Sequence, residues 1–170
     1  TLVHAFITSK LDNANSLLYG VPDCAIRKLQ LIQNNAARIV TRSKKSDHVT
    51  PILKRLHWLP VKWRIHYKVC LMTFKCLHGK APRYLAEMLT PYEPPRALRS
   101  RAQSLLKEKV SRLKWVGDRS FQVAAPKLWN KLPEELRKCE ELEPFKQGLK
   151  THLFRLAFEW LIEDWLMSRD

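Results

Sequence analysis

Residues Asp47–Lys80 read DHVTPILKRLHWLPVKWRIHYKVCLMTFKCLHGK, and they decide the fold class. The stretch opens as a polar loop, passes a short amphipathic turn and breaks at Pro60. A residue before proline is pushed out of the helical region, and proline itself suits a first helical position, so Leu59-Pro60 reads as a boundary. From Val61 to His78 almost every helical face carries an apolar side chain, among them Trp63, Ile65, Tyr67, Val69, Phe74 and Leu77, and Gly79 supplies the stop. A helix apolar nearly all round is one that others wrap. One narrow side is polar. At about 100° per residue, Arg64, Lys68 and Lys75 fall within about 40° of one another, so the central helix is expected to show a basic stripe outward.

Towards the N-terminus the clearest segment is Asp23–Thr41, with Asp23 as a cap candidate. Projected as a helix, Ile26, Leu29, Ile32, Ala36, Ala37, Ile39 and Val40 share one side, with Arg27, Asn34, Arg38 and Arg42 almost opposite. Ala36 and Ala37 leave room for a neighbouring helix. Two shorter helical pieces, 2–10 and 15–19, come first, and Gly20 with Pro22 ends the second. A loop at 43–48 carries Lys44 and Lys45, and Thr50 is placed to cap a short helix over 51–56.

Towards the C-terminus, Pro82 opens a short helix to Leu89. The run TPYEPPRALRSR at 90–101 combines prolines with Arg96, Arg99 and Arg101, and reads as a surface linker, a hinge or a basic strap. Residues 105–115 alternate loosely before Gly117-Asp118, which suggests a short β-hairpin. Phe121, Ala124, Ala125, Leu128 and Trp129 then recur at helical spacing despite Pro126, and Pro133-Glu134-Glu135 opens another short helix. In the last run, 144–167, Phe145, Leu149, His152, Leu153, Leu156 and Trp160 lie along one side, while Phe154 and Trp165 fall elsewhere. The expected architecture is mainly α: a helical domain of about six to eight helices with a short β-hairpin near 105–116. Its parts are a basic helical region 1–90, a Pro/Arg-rich connector 91–103, and a hairpin plus helices over 104–170, packed with the first region as one unit.

A chain of 170 residues, 45% hydrophobic and with only 4 Gly, is long enough to bury a core and is compositionally helical. Its 31 Lys/Arg against 16 Asp/Glu give +15. The excess is uneven: residues 1–99 hold 17 basic and 5 acidic residues (+12), residues 100–170 hold 14 and 11 (+3). So basic a half points to a polyanion, nucleic acid before a membrane surface; an inert solvated surface is the bland alternative. Cys24, Cys70, Cys76 and Cys139 form no CxxC pair, and Cys70 falls in the apolar helix, where it serves as a small hydrophobe. A reducing intracellular compartment, nuclear or cytoplasmic, is expected. No signal peptide stands at the start, and the apolar runs at 61–77 and 153–167 are broken by charges and short of the ~20 residues a membrane span needs. The chain begins at Thr1 inside an apolar run, which reads as a piece of something longer.

Chemistry is scarce. GxxxxGK[ST], GxGxxG, HExxH and GxSxG are all missing. His66 and Cys70 are four apart, enough for two ligands on one helical face, but no third stands nearby, so neither a metal nor a cofactor is expected. Asp12, Asp23, Asp47, Glu87 and Glu93 do not pair as two-metal phosphoryl transfer requires, and Glu134 to Glu143 is a solvated charge run. No catalytic residue is assigned. Binding is better supported. Cations interleave with aromatics in Lys54-Arg55-Leu56-His57-Trp58, in Lys62-Trp63-Arg64 and at Arg83-Tyr84, the combination that grips phosphates and stacks bases. Trp63 is assigned to the core, whereas core and stacking roles both stand for Trp58. Candidate contacts to RNA, an RNA–DNA hybrid or a DNA backbone are Arg27, Arg38, Arg42, Lys44, Lys45, Lys54, Arg55, Arg64, Lys68 and Lys75. A protein-interaction role, motivated by the apolar tail 154–167, is the rival.

The segments LVHAFITSKLDNANSLLYGVP, LQLIQNNAARIVTR, DHVTPILKRLHWLPVKWRIHYKVCLMTFKCLHGKAPRYL, RALRS, GDRSFQVAAPKLWNKLPEELR and FKQGLKTHLFRLAF also carry a resemblance. Over roughly residues 1–158, in order and spacing, the chain resembles the C-terminal part of LINE-type non-LTR retrotransposon polyproteins of the Jockey-like group. There the segment follows the reverse transcriptase palm and includes the thumb and the region after it. The resemblance implies a helical, non-catalytic module that helps hold template RNA and primer, possible partners being the polymerase palm or another copy. Its polymerase aspartates and endonuclease would lie elsewhere in the parent polyprotein. Asn13-Ala14 stands where the family usually has Tyr-Cys, and the tail from Glu159 to Asp170 extends past the resemblance; both departures fit a further alternative, a transposon fossil without retained activity.

Overall fold

The structure, a computed structural model, describes residues 4–93, 104–111, 113 and 117–167. Among them it is mainly α, with eight α-helices: α1 (Ser9–Asp12), α2 (Asp23–Thr41), α3 (Val49–Arg55), α4 (Val61–Leu77), α5 (Arg83–Ala86), α6 (Phe121–Trp129), α7 (Glu134–Arg137) and α8 (Leu142–Met167). A π-helical turn, His4–Thr8, leads into α1, and 3-10 turns stand at Asn15–Leu18 and Gly117–Arg119. The chain groups into two compact units, Thr1–Ile65 with Lys150–Asp170, and His66–Leu149. The boundary therefore falls inside α4 and α8.

In the first unit, α2 has the limits its sequence punctuation suggests. Pro22 holds the cap position, its carbonyl accepting from the Ala25 and Ile26 N–H groups at 3.0 and 3.4 Å. The buried face differs from the projected one. Burial centres on Gln33, Ala36 and Ala37, while Leu31, Ile32 and Ile39 stay 61, 49 and 63% exposed. The reason is a polar contact that an apolar count cannot register. Gln33 Nε2 donates to the Leu59 carbonyl at 2.8 Å, and Gln30 Oε1 accepts from the Val61 N–H at 2.9 Å. Both groups belong to the Leu59-Pro60 corner, where the chain leaves one helix and starts another with orphaned backbone groups. Two amides one turn apart on α2 thus satisfy the entry to α4, and Ala36 and Ala37 sit in the closely packed face beside them. Pro60 lies one residue ahead of its expected place, at the cap, with its carbonyl accepting from Trp63 and Arg64 at 2.9 and 3.0 Å.

Trp58 is buried and Trp63 only half-buried, so the core tryptophan of this corner is Trp58. The stretch of α8 in this unit buries Leu153, Ala157 and Phe158, and the Phe154 ring stacks on His57 at 5.7 Å. The side chains of Trp160 and Trp165 lie outside the described residues.

The second unit has a dry aromatic centre. Phe74 stacks on Phe145 at 4.2 Å, Trp129 lies 5.8 Å from Phe145, and all three are fully buried. Cys70 is buried on the same helix, which pushes its thiol up to about 12 and leaves it protonated and inert. α6 runs through Pro126, which is buried, and the ladder resumes with the Asn130 N–H on the Pro126 carbonyl at 2.9 Å. Gly79, at φ +65°, ends α4 with the Lys80 N–H on the Lys75 carbonyl at 2.8 Å.

The strand signal near 105–116 resolves differently from a local hairpin. Leu106 pairs antiparallel with Pro91, flanked by Tyr92 N–H to Leu105 O at 2.9 Å and Lys107 N–H to Thr90 O at 2.8 Å. The Asn130 side chain brackets Leu106 from another direction, accepting its N–H at 2.9 Å and donating to its carbonyl at 2.9 Å. Residues 112 and 114–116 of that expectation, and 94–103 of the expected connector, lie outside the described residues.

Candidate nucleic-acid interface

α2 ends in a Schellman turn. Arg42 takes the left-handed conformation at φ 54°, the Ser43 N–H reaches the Arg38 carbonyl at 3.0 Å, and the Arg42 N–H reaches Ile39 O at 3.3 Å. The position is one where glycine is usual, and an arginine there turns its long side chain out at the helix end. The loop that follows is tied down. The Lys44 N–H donates to Asp47 Oδ2 at 2.8 Å, the Asp47 N–H returns to Lys44 O at 3.1 Å, and Arg38 Nη2 donates to the Asp47 carbonyl at 3.1 Å. Asp47 thereby acts as the loop's internal fastening.

These constraints shape a cleft of about 560 Å³ lined by Asn35, Arg38, Ile39, Arg42, Ser43 and Lys45. Lys44 is exposed in the same loop. The carbonyl end of a helix carries roughly half a negative charge and alone repels anions. Arg38, Arg42, Lys44 and Lys45, set against Asp47, outweigh it and leave the helix end net positive. Electrostatically, such an opening favours an anion over a metal cation. The same cations also complement the helix dipole, so they serve the fold as well as any ligand.

The other candidates are distributed unequally. Arg27 is exposed on α2 but lies fifteen residues before Arg42, about 22 Å along the axis, so it does not share the cleft. Lys54 and Arg55 are exposed in the last turn of α3, in the same unit but outside the cleft lining. Arg64 is taken up. Its Nε donates to Asp12 Oδ1 at 2.8 Å, its Nη2 pairs with Oδ2, and its side chain is only 15% exposed. Lys68 and Lys75 belong to the second unit and are half-buried. The basic stripe projected on α4 therefore has one of its cations engaged in an ion pair and two partly covered.

Sequence reasoning missed Asn35, Ser43 and Asp47 as parts of the site. The visible signal was the spacing of Asp47 from Lys44, the offset at which a carboxylate reaches back to an N–H three residues earlier. It also placed Ile39 on the apolar side of the helix, opposite Arg38 and Arg42, whereas Ile39 lines the cleft with them. Among the described residues no group of three or more His, Cys, Asp or Glu side chains comes together to hold a metal, and no helix is long and apolar enough to cross a membrane. Comparison of the chain with protein-family models, curated proteins and solved structures finds no match.

Proposed function

We propose that this chain is a non-catalytic nucleic-acid-binding module, of the kind that helps hold template RNA and primer in a non-LTR retrotransposon reverse transcriptase. The observation that carries the proposal is the braced basic cleft at the end of α2, where Arg38, Arg42 and Lys45 line one opening and Lys44 adjoins it in the loop. The +12 of residues 1–99 supplies the longer-range attraction. A cluster that contacts phosphates releases counterions, so log K falls linearly with log salt. Four such contacts correspond to a slope of about −3 to −4. The test is binding to single-stranded RNA, an RNA–DNA hybrid and duplex DNA over a salt series, with Arg42, Lys44 and Lys45 changed together to Glu. The expected result is a steep slope in the parent chain and its collapse in the variant, with an unchanged circular dichroism spectrum. Equal binding by both chains removes the assignment.

A second reading has an observation of its own. Leu31, Ile32 and Ile39 form an exposed apolar row on α2, suited to packing on a polymerase palm or another copy. A monomer at micromolar concentration in sedimentation, with no apolar dye binding, counts against that role.

A further inference from the structure

The second unit carries a surface of different character. The Pro91–Leu106 bridge sets Thr90–Tyr92 antiparallel to Leu105–Lys107, with Tyr92 opposite Leu105 and Thr90 opposite Lys107. Side chains alternate across such a pair, and Leu106, 3% exposed, marks the inner side. Leu105, Lys107, Thr90 and Tyr92 therefore share the outer side. Further along, Lys109 Nζ donates to the Met88 carbonyl at 3.1 Å. Two acids stand beside this face: Glu108, exposed next to Lys107, has its Oε1 engaged by Asn130 Nδ2 at 3.2 Å, and Glu93 is exposed next to Tyr92.

The outer face thus presents Tyr92, 39% exposed, diagonally across the pair from an exposed Lys107. Diagonal neighbours in an antiparallel pair stand about 7–8 Å apart at most, within the reach of an aromatic ring and a lysine stem. A nucleotide offers a flat base and a phosphate separated by a sugar, a span of the same order. The Asn130 bracket and the Trp129 Nε1 bond to the Ser104 carbonyl, 2.9 Å, hold the segment that carries Lys107. We propose that this face is a stacking platform for single-stranded nucleic acid, with a base on the Tyr92 ring and the adjoining phosphate on Lys107. It takes its ligand class from the proposal for α2 but differs from it in kind. The cleft on α2 reads charge, whereas this face reads an unpaired base, because a base inside a duplex has no free surface to offer a ring.

The experiment is equilibrium binding of the whole chain to three probes: a short oligo(A) RNA, an abasic oligomer of the same length, and an RNA duplex. Tyr92→Ala is expected to weaken oligo(A) binding about 5- to 30-fold while leaving the abasic and duplex probes unchanged, and Tyr92→Phe is expected to retain oligo(A) binding. Lys107→Gln is expected to lower the oligo(A) salt slope by about 1. The platform is overturned if the parent chain binds the abasic oligomer as well as oligo(A), or if Tyr92→Ala lowers all three probes alike. It is equally overturned if Tyr92→Phe loses as much as Tyr92→Ala, which would mark the hydroxyl as structural. The Arg42/Lys44/Lys45 charge reversal separates the two proposals. A base-dependent Tyr92 effect that survives it, with no loss of salt slope, sinks the α2 cleft and keeps the platform. A collapsed slope with no Tyr92 effect does the opposite.

Discussion

The two units are stabilised by different physics. The second has an apolar centre in which Phe74, Trp129 and Phe145 are fully buried and stacked. The first buries Ile52, Leu53, Trp58 and Phe158 but also places an amide, Gln33, in its interior at 1% exposure. Its elements are registered by directed bonds as well: Gln33 to Leu59, Gln30 to Val61, and Arg64 to Asp12. Hydrophobic burial is non-directional, whereas hydrogen bonds fix both distance and angle. The first unit's proposed contact is a cleft at a helix end, whereas the second unit's is confined to a short paired edge.

This contrast can be broken at several points. The largest effect belongs to the aromatic centre: Phe74→Ala should cost about 3–5 kcal/mol, read as a lowered denaturant midpoint. A loss under 1 kcal/mol would show that the stack is not what holds that unit. Gln33→Leu comes next. It adds apolar volume yet strips the Leu59 carbonyl of its donor, and should destabilise by about 1–3 kcal/mol. If the variant is instead more stable, the first unit is an ordinary hydrophobic core and the contrast dissolves. Asp12→Ala leaves Arg64 with little solvent and no partner, and because Asp12 is 42% exposed, solvent screening holds the expected loss to about 1 kcal/mol.

A smaller change runs the other way. Arg42→Gly removes the left-handed strain of a residue with a Cβ and should raise stability by about 0.5–1 kcal/mol while weakening nucleic-acid binding. Improved stability with unchanged binding would show that Arg42 serves only the turn. The smallest effect is electrostatic. His152 is held below its ordinary value, first by burial and then by the Arg155 charge. Its stabilising contribution is therefore complete above about pH 6.5, where the unfolded histidine is also neutral, and is lost as pH falls and only the unfolded state takes up the proton. Replacing His152 with Gln should flatten the thermal midpoint between pH 7 and pH 5, and an identical slope in both chains would exclude His152 as its source.

Helix limits were legible where the chain is punctuated. Pro22, Pro60 and Gly79 mark helix ends whatever the tertiary packing: α2 begins beside Pro22, and α4 runs between Pro60 and Gly79. The helical character of the whole was equally readable from periodicity. Which face of α2 turns inward was not, since its partner is a pair of backbone groups at Leu59 and Val61, and a projection ranks side chains only by polarity. Arg64 was offered as a ligand contact because nothing local claims it; its claimant, Asp12, is 52 residues away. Leu106 likewise finds Pro91 across an intervening connector rather than a near neighbour across a turn. Of the candidate site, the loop lysines and the arginines at the end of α2 were visible as charge. The bonds of Asp47 that shape them into a cleft were not.

The amides of α2 have a kinetic consequence. The Val61 N–H is satisfied by Gln30, 31 residues earlier in the chain, so the first turn of α4 lacks this partner until α2 has docked. Helix nucleation is the costly step, and here part of it depends on a distant segment. Hydrogen exchange at Val61 would then clock the docking of α2 rather than the fraying of α4, and Gln30→Ala should speed exchange at that amide while leaving the middle of the helix slow. In such a unit the slowest local opening is a property of two helices together, and neither sequence carries it alone.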